Sequence, residues 1–115
     1  MTLDLKQQRG AEIFQQMVAK ADVVIENFRP GTLERWGLGY EQLKLINPGL
    51  IMLRISAYGQ EGPKRDLPGF ARIAQAYAGL TYLTGTQQTA PLIAGSTTLA
   101  DYLSGLYGAL SLIHI

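Results

Sequence analysis

One acidic residue near the C-terminus, Asp101, has the setting of a candidate nucleophile. It follows the polar stretch Gly95–Thr98 and lies in the first turn of a predicted helix. Gly105 and Gly108 come about one and two turns later, so all three residues share one helix face. A bulky group can therefore approach the backbone beside the carboxylate. Two interpretations stay open: an acid that complements the helix dipole, with glycines for close helix contact, or a carboxylate placed as a nucleophile.

The helix that carries Asp101 has a clear start and an apolar side. The hydroxyl of Thr97 or Thr98 is expected to cap it by accepting a hydrogen bond from an otherwise unpaired backbone N–H group. Apolar residues then recur at helical spacing and form a stripe, which consists of Leu99, Tyr102, Leu103, Leu106 and Leu110.

A second candidate site follows a short β-branched run. Asn27, Phe28 and Arg29 are consecutive, and Arg35 comes a few residues later. An aromatic ring with two guanidinium groups is suited to an adenine ring and phosphates. The alternative is that Phe28 lies in the core while the arginines are solvated. No Gly-x-Gly-x-x-Gly or Walker pattern occurs, so neither a dinucleotide-binding nor a P-loop assignment is supported.

Composition excludes several classes of function. The 115 residues carry a net charge of +1, which provides no long-range attraction for nucleic acid. Cysteine is absent and the single histidine is His114, so thiol catalysis, a serine–histidine mechanism and a metal site are not expected. No leader and no long apolar run is apparent, which favours a soluble, cytoplasmic protein without a membrane partner.

The hydrophobic pattern alternates between helical and strand periods, which predicts an α/β fold. Ligands of such sheets bind at the carboxyl ends of the strands, and here those ends are 27–31 and 56–59. The predicted elements are a strand at Thr2–Leu5, a helix at Lys6–Lys20, a strand at Ala21–Glu26, helices at Thr32–Trp36 and Tyr40–Ile46, a strand at Leu50–Ser56, a helix at Phe70–Leu80 and the final helix.

Several segments, taken together and in order, resemble family III of the CoA-transferases, the group of formyl-CoA and carnitine CoA-transferases. Residues 21–31, Ala-Asp-Val-Val-Ile-Glu-Asn-Phe-Arg-Pro-Gly, resemble the family's ADV-x-x-ENFRPG signature. The stretches at 33–39, 47–51, 56–63, 74–80 and 84–85, and then 95–105, match further family segments in the same order. One match would be weak, but the collinear series covers nearly the whole chain.

The resemblance implies a Rossmann-like CoA-binding domain in an interlocked homodimer, with coenzyme A as substrate and no permanently bound cofactor. The family's nucleophile falls on Asp101. Its CoA contacts fall on Leu3, Lys6, Asn27, Phe28, Arg29 and Arg35. The family also contacts CoA at 68–71, but Ala71 stands where many members have an acidic residue, so that contact is not carried over.

The implied reaction moves CoA from an acyl-CoA to a carboxylic acid through an anhydride and a thioester of Asp101. Two alternatives remain: a 2-methylacyl-CoA racemase, whose family members use a histidine just before the position of Ala71, and an inactive CoA-binding fragment. Family members are several times longer, so residues 1–115 are expected to form part of the large domain, incomplete at both ends and inactive alone.

Overall fold

The computed structural model describes residues 2–93 and 98–115. In chain order its elements are α1 (Gln8–Val18), β1 (Val23–Glu26), α2 (Thr32–Arg35), α3 (Tyr40–Ile46), β2 (Ile51–Arg54), α4 (Ala71–Tyr77), α5 (Leu80–Leu83) and α6 (Leu99–Ile113). They fall into two compact units, Met1–Ile55 and Ser56–Ile115. The α/β fold class predicted from the sequence is confirmed, and the predicted bounds of α3 are those observed.

The two strands of the first unit form a parallel pair. Val23 lies opposite Ile51, and Glu26 lies opposite Arg54 at the carboxyl ends of the strands. Parallel strands require a crossover connection, and here the chain returns through α2 and α3. The register matters for function because it brings an acidic and a basic residue together at the end where ligands of parallel sheets bind.

The core of the first unit is small and aliphatic. It consists of five residues that are at most 3% exposed, namely Val18, Leu33, Leu38, Leu43 and Leu50. Asn47 ties the segments around this core together, since its side-chain amide donates to the carbonyl oxygens of Val18 and Ala21 at 3.1 and 2.8 Å. The sequence Asn-Pro-Gly at 47–49 is typical of a turn that ends a helix. In the structure this turn follows α3, and its Asn47 side chain also anchors the end of α1.

The predicted strand at Thr2–Leu5 is wrong, because residues 2–4 form no regular element and lead into a turn at residues 5 and 6. The Asp4 carboxylate accepts a hydrogen bond from the Lys6 backbone N–H at 3.0 Å, and such a local bond competes with strand pairing. The Asp4 carbonyl also lies against Gly10 of α1, where an added Cβ would come within 1.9 Å of it. The missing side chain of Gly10 thus permits the 2–6 segment to pack on α1.

In the second unit, α4 contacts both α5 and α6. The apolar spacing within the predicted helix at Phe70–Leu80 favours an inward face formed by Ile73, Ala74 and Tyr77. In the structure, however, Ile73 is 44% exposed and Tyr77 is 60% exposed. The buried residue of α4 is Gln75. Tyr77 instead packs edge-on against the ring of Tyr58, with 5.1 Å between the ring centroids. The Lys64 ammonium lies over the Tyr77 ring, 4.3 Å from its centroid. The helical period was correct, but the inward face was assigned to the wrong residues.

The stripe predicted on α6 is largely uncovered. Tyr102 and Leu106 are more than two thirds exposed, Leu110 is half exposed, and Leu99 and Leu103 are half-buried. The helix begins after Thr98, whose side chain makes no capping hydrogen bond to the helix. Thr97 lies outside the described residues. Within residues 2–93 and 98–115, none of the helices combines the length and the apolar character needed to span a bilayer.

Candidate functional site

Two side chains from separate segments of the first unit, Lys6 and Phe28, meet at Trp36, the only tryptophan in the sequence. The Phe28 and Trp36 rings are in an edge-to-face arrangement with their centroids 5.5 Å apart. The Lys6 ammonium lies 6.0 Å from the Trp36 centroid, which is the outer limit of a cation–π contact. We call Lys6, Phe28 and Trp36 the Trp36 cluster. It combines aromatic faces with a positive charge, the chemistry expected for binding a purine and phosphates.

The sequence left open whether Phe28 belongs to the core, and the structure answers that it does not. Its side chain is 40% exposed, whereas the core residues of the same unit are at most 3% exposed. Trp36 is half-buried and packs against that core. Phe28 is therefore supported from beneath by Trp36 and remains accessible to a ligand.

The arginines of the candidate site flank the start of α2. Gly31 precedes this helix with a left-handed φ of 77°, a conformation that glycine adopts without strain. The Arg29 carbonyl accepts a hydrogen bond from the Thr32 backbone N–H at 3.1 Å, which closes the turn. Arg35 donates from Nη2 to the Thr32 hydroxyl at 2.9 Å, so its guanidinium is held at the same end of the helix.

Exposure differs among the remaining predicted contacts. Asn27 and Arg29 are exposed, and Leu3 is half-buried. Within the described residues the Arg29 guanidinium has no ion pair, so its positive charge is available to a ligand. The structure thus brings Lys6 and Phe28 to Trp36, whereas the Arg35 guanidinium is held at Thr32. Asn27 and Arg29 are adjacent to Phe28 in the chain. The structure shows no comparable side-chain contact for Leu3.

A charged network lies directly beneath the 27–31 segment. Glu26 is 5% exposed, and its carboxylate accepts hydrogen bonds from the Phe28 backbone N–H at 2.7 Å and from Arg54 Nε at 2.8 Å. Arg54 also donates from Nη1 and Nη2 to both oxygens of Glu34, at 2.7 and 3.2 Å. The arrangement connects the ends of both strands to α2.

The network shifts the proton affinities of two of its members. Burial of the Glu34 carboxylate opposes its ionisation, but hydrogen bonds from Arg54 and from the backbone, with the charges of Arg54 and Arg35, outweigh burial and lower its pKa. Burial likewise opposes the charge of Arg54, yet its hydrogen bonds to Glu26 and Glu34 raise its pKa. Both groups therefore remain charged over the physiological range.

Asp101 lies in the first turn of α6 in the second unit and is exposed. A Cβ added at Gly105, one turn later, would meet no described atom within 4 Å outside its own helix, so there is open space beside the carboxylate. Gly108 differs, because it is the buried residue of α6. The opening predicted along both glycines is thus present at Gly105 only, and Gly95 lies outside the described residues.

The sequence missed three residues of the first-unit site: Glu26, Arg54 and Trp36. Arg54 could have been found from the sequence, because it is a charged residue within an apolar strand, and a buried charge requires a partner. Residues 33–39, Leu-Glu-Arg-Trp-Gly-Leu-Gly, resemble the family's LERLGLG segment, so Trp36 stands where that segment has leucine. This departure was the signal for an additional aromatic side chain at the site. In the described part of the chain, no group of three His, Cys, Asp or Glu side chains is arranged to hold a metal ion.

Fold and site together define an α/β chain whose first unit gathers aromatic and cationic groups at the carboxyl ends of parallel strands. The sequence profile described as CoA-transferase family III matches residues 1–114. This chain belongs to that family.

Named relatives support the assignment. The chain is 56% identical over 113 residues to the succinyl-CoA–L-malate CoA-transferase beta subunit of Chloroflexus aurantiacus, covering 98% of this chain and 28% of that protein. It is 42% identical over 107 residues to the acetyl-CoA:oxalate CoA-transferase of Acetobacter aceti, covering 93% of this chain and 28% of the relative. The chain therefore spans little more than a quarter of the length of these relatives.

Solved structures show the same fold. A CAIB/BAIF family protein from Brucella suis superposes with a TM-score of 0.85 at 36% identity, covering 99% of this chain and 31% of that structure. A hypothetical protein from Mycobacterium tuberculosis gives a TM-score of 0.87 at 37% identity, with 99% and 32% coverage. The described fold is thus a part of a larger family fold.

Proposed function

We propose that this chain is the acyl-CoA-binding and nucleophile-bearing part of an enzyme that moves CoA from an acyl-CoA to a carboxylic acid. The observation that carries the proposal is the Trp36 cluster, in which an accessible aromatic ring and a lysine ammonium from separate segments meet at Trp36. Arg35, the next residue before Trp36, adds a second cation, which is held at the start of α2. Adenine rings stack on such aromatic faces, and guanidinium and ammonium groups pair with phosphate oxygens.

The proposed binding residues are Leu3, Lys6, Asn27, Phe28, Arg29 and Arg35, and the proposed nucleophile is Asp101. Coenzyme A acts as a substrate. Two relatives are named alpha and beta subunits of a succinyl-CoA–L-malate CoA-transferase, which indicates an assembly of more than one chain for that enzyme. For the complete form of the present protein the proposed assembly is an interlocked homodimer. The whole reaction then requires the additional length that the relatives have.

In the proposed mechanism the Asp101 carboxylate attacks the thioester carbonyl, and the carbon–sulfur bond breaks to release CoA thiolate and leave a mixed anhydride. The thiolate attacks the aspartyl carbonyl, which releases the donor acid and leaves an aspartyl-CoA thioester. The acceptor carboxylate attacks the aspartyl-CoA thioester, whose carbon–sulfur bond breaks to release CoA thiolate and leave an anhydride between Asp101 and the acceptor. The thiolate then attacks the acceptor carbonyl, which forms the new acyl-CoA and releases the free Asp101 carboxylate. The exposed position of Asp101 and the space at Gly105 support access of a thioester to the carboxylate.

A racemase of the same family would need a base on each face of the substrate's α-carbon. Phe70 and Ala71 occupy the positions where the resembling racemases have a histidine and an acid, and His114 is the only histidine. The residues present thus favour transfer over racemisation. An inactive CoA-binding fragment would share the first-unit site but not the covalent step on Asp101.

The test uses a chimera in which this chain replaces the matching 113 residues of the Chloroflexus beta subunit, produced together with its alpha subunit. Asp101→Asn keeps the size of the side chain and removes the nucleophile. We expect it to abolish CoA transfer from succinyl-CoA to L-malate while acyl-CoA binding persists. Hydroxylamine should convert the covalent adduct of the unsubstituted chimera to a hydroxamate on the peptide that contains Asp101, as detected by mass spectrometry.

The matched control is Asp66→Asn, because Asp66 is another exposed carboxylate of the second unit and pairs only with the adjacent Arg65 among the described residues. Transfer should continue in this variant. Undiminished turnover in Asp101→Asn, or a hydroxamate on a different peptide, would refute the role proposed for Asp101.

A further inference from the structure

The carboxylate of Glu26 has two hydrogen-bond donors, each on a different oxygen. Oε2 accepts from the Phe28 backbone N–H at 2.7 Å, and Oε1 accepts from Arg54 Nε at 2.8 Å. At 5% exposure the charge would be costly without these partners. The first bond reaches two residues ahead in the chain, to a residue at which the backbone bends, so it ties that bend to the end of the strand.

Arg54 extends the network to α2. It lies opposite Glu26 in the strand register, and its two remaining nitrogens bind both oxygens of Glu34. Glu34 directly precedes Arg35, which belongs to the proposed phosphate-binding groups. The 27–31 segment is thus held at one end by the bond from the Phe28 N–H group to Glu26, and at the other end by α2, which carries Glu34. Both carboxylates bind the Arg54 guanidinium.

From this geometry we infer that Glu26 and Arg54 are positioning residues of the acyl-CoA site. They act through the backbone of Phe28 and through α2, not by touching the substrate, and the inference rests on the proposed function of the 27–35 region. The network sets the distance between the Phe28 ring and the Arg35 guanidinium before the substrate arrives. Preorganisation of this kind increases affinity because fewer groups must be ordered on binding.

The chemistry of the network requires a carboxylate at position 26. The two donors bind different oxygens of Glu26, and glutamine offers one acceptor oxygen and one NH₂ group in their place, so one of the two donors loses its acceptor position. If its oxygen serves Phe28, its NH₂ group faces the Arg54 donor. Glu26→Gln should therefore release one of the two contacts while the volume of the side chain stays the same.

The experiment measures two quantities on the chimera described above: hydrogen exchange of the peptide that contains Phe28, by mass spectrometry, and binding of coenzyme A, by calorimetric titration. In Glu26→Gln we expect exchange of the Phe28 peptide to accelerate relative to the peptides of the strand pair, and CoA affinity to fall about tenfold or more, the loss typical of one charge-assisted contact. Glu12→Gln is the control, because the Glu12 side chain is 42% exposed and, among the described residues, pairs only within α1. It should change neither quantity.

A double variant separates positioning from simple stability. Arg54→Met leaves the buried Glu26 charge unpaired and should destabilise the fold, whereas Glu26→Gln with Arg54→Met removes both charges and should recover much of that stability. We expect CoA affinity to stay low in the double variant. Recovery of affinity together with stability would overturn the inference, as would normal exchange of the Phe28 peptide in Glu26→Gln.

Glu34→Gln gives a test that does not depend on burying a charge, since the Glu34 side chain is 42% exposed. It should fold normally and weaken CoA binding by a few fold, because only the link from Arg54 to α2 is cut. Unchanged affinity would contradict the α2 part of the inference. Absence of CoA binding by the unsubstituted chimera would refute the proposed function instead, and exchange of the Phe28 peptide would then decide by itself whether Glu26 orders the segment.

Discussion

At the scale of single residues, the most informative contact is the one between Phe28 and Trp36. Both are aromatic and lie close in sequence, and either was suited to the core. The structure gives the supporting position to Trp36, which packs on the aliphatic core, and leaves Phe28 40% exposed. An edge-to-face pair is favourable in itself, so Phe28 is held in place without being buried. The proposed adenine contact is therefore a preformed one.

Arg35 provides the residue-scale prediction. Arg35→Ala should weaken CoA binding by about ten- to a hundredfold, the equivalent of roughly 1.5–3 kcal/mol for a lost charge-assisted contact to phosphate. Calorimetric titration of the chimera described above with coenzyme A measures the effect, and the stability of the chimera should change little. Arg9→Ala is the matched control, because Arg9 is an exposed arginine of α1 that pairs, within the part of the chain that the structure describes, only with Glu12. Equal CoA affinities in the two variants would contradict the assignment of Arg35.

At the scale of elements, one guanidinium connects three pieces of secondary structure. Arg54 ends β2 and binds Glu26 at the end of β1 and Glu34 in α2. Both strands are only four residues long, and short parallel pairs have few ladder hydrogen bonds. The ion pairs therefore supplement a small sheet at the edge where the substrate is proposed to bind.

This connection makes stability depend on pH. The pKa of Glu34 is lowered in the folded state, so the unfolded state binds more protons in acid. The contribution of Glu34 is present above its ordinary pKa of 4.5 and is lost as the pH falls through the lower folded value. Its size should be less than about 1 kcal/mol, because the side chain is 42% exposed and solvent screens the pair.

Urea unfolding at a series of pH values measures this contribution. Glu34→Gln should be less stable than the original chain at neutral pH, and the difference should disappear at the most acidic pH at which both still fold. Glu12→Gln, with the same exposure but a pair confined to one helix, should show a smaller difference at neutral pH. A Glu34→Gln difference that persists unchanged in acid would exclude the pKa shift as its cause.

At the scale of the whole molecule, much apolar surface is uncovered. On α6, side chains that are half or more exposed include Tyr102, Leu106, Tyr107, Leu110 and Ile113. In the described residues the sheet has two strands, so each strand pairs along one edge only. Exposed apolar faces and unpaired strand edges promote association. The relatives, which are more than three times as long, have further chain that can cover such surfaces.

We therefore predict that the 115-residue chain by itself is only marginally stable, associates in solution and does not catalyse transfer. Sedimentation velocity and thermal unfolding by circular dichroism test this. The chimera described above should in contrast give a defined assembly and a cooperative transition, because the added segments bury the faces of α6. A monodisperse monomer with a sharp two-state transition would contradict the prediction.

The amino-acid sequence by itself determined the fold class, the family and the position of most elements. Helix α3 was predicted with its observed bounds, and both strands were located, because apolar periodicity and the turns at 27–31 and 47–49 are local properties of the chain. The candidate site residues could be identified from the sequence as well, because each lies in a short family segment that is itself a local feature of the chain.

Only the tertiary structure decided which groups are buried and which meet. Gln75 is 2% exposed while Ile73 and Tyr77 of the same helix face outward, although hydrophobicity alone favours the reverse. The Asp4 turn replaced a predicted strand, and Arg54 found its partners 28 and 20 positions away along the chain. Such pairings depend on strand register and helix packing, which bring together residues distant in sequence, so no local pattern specifies them.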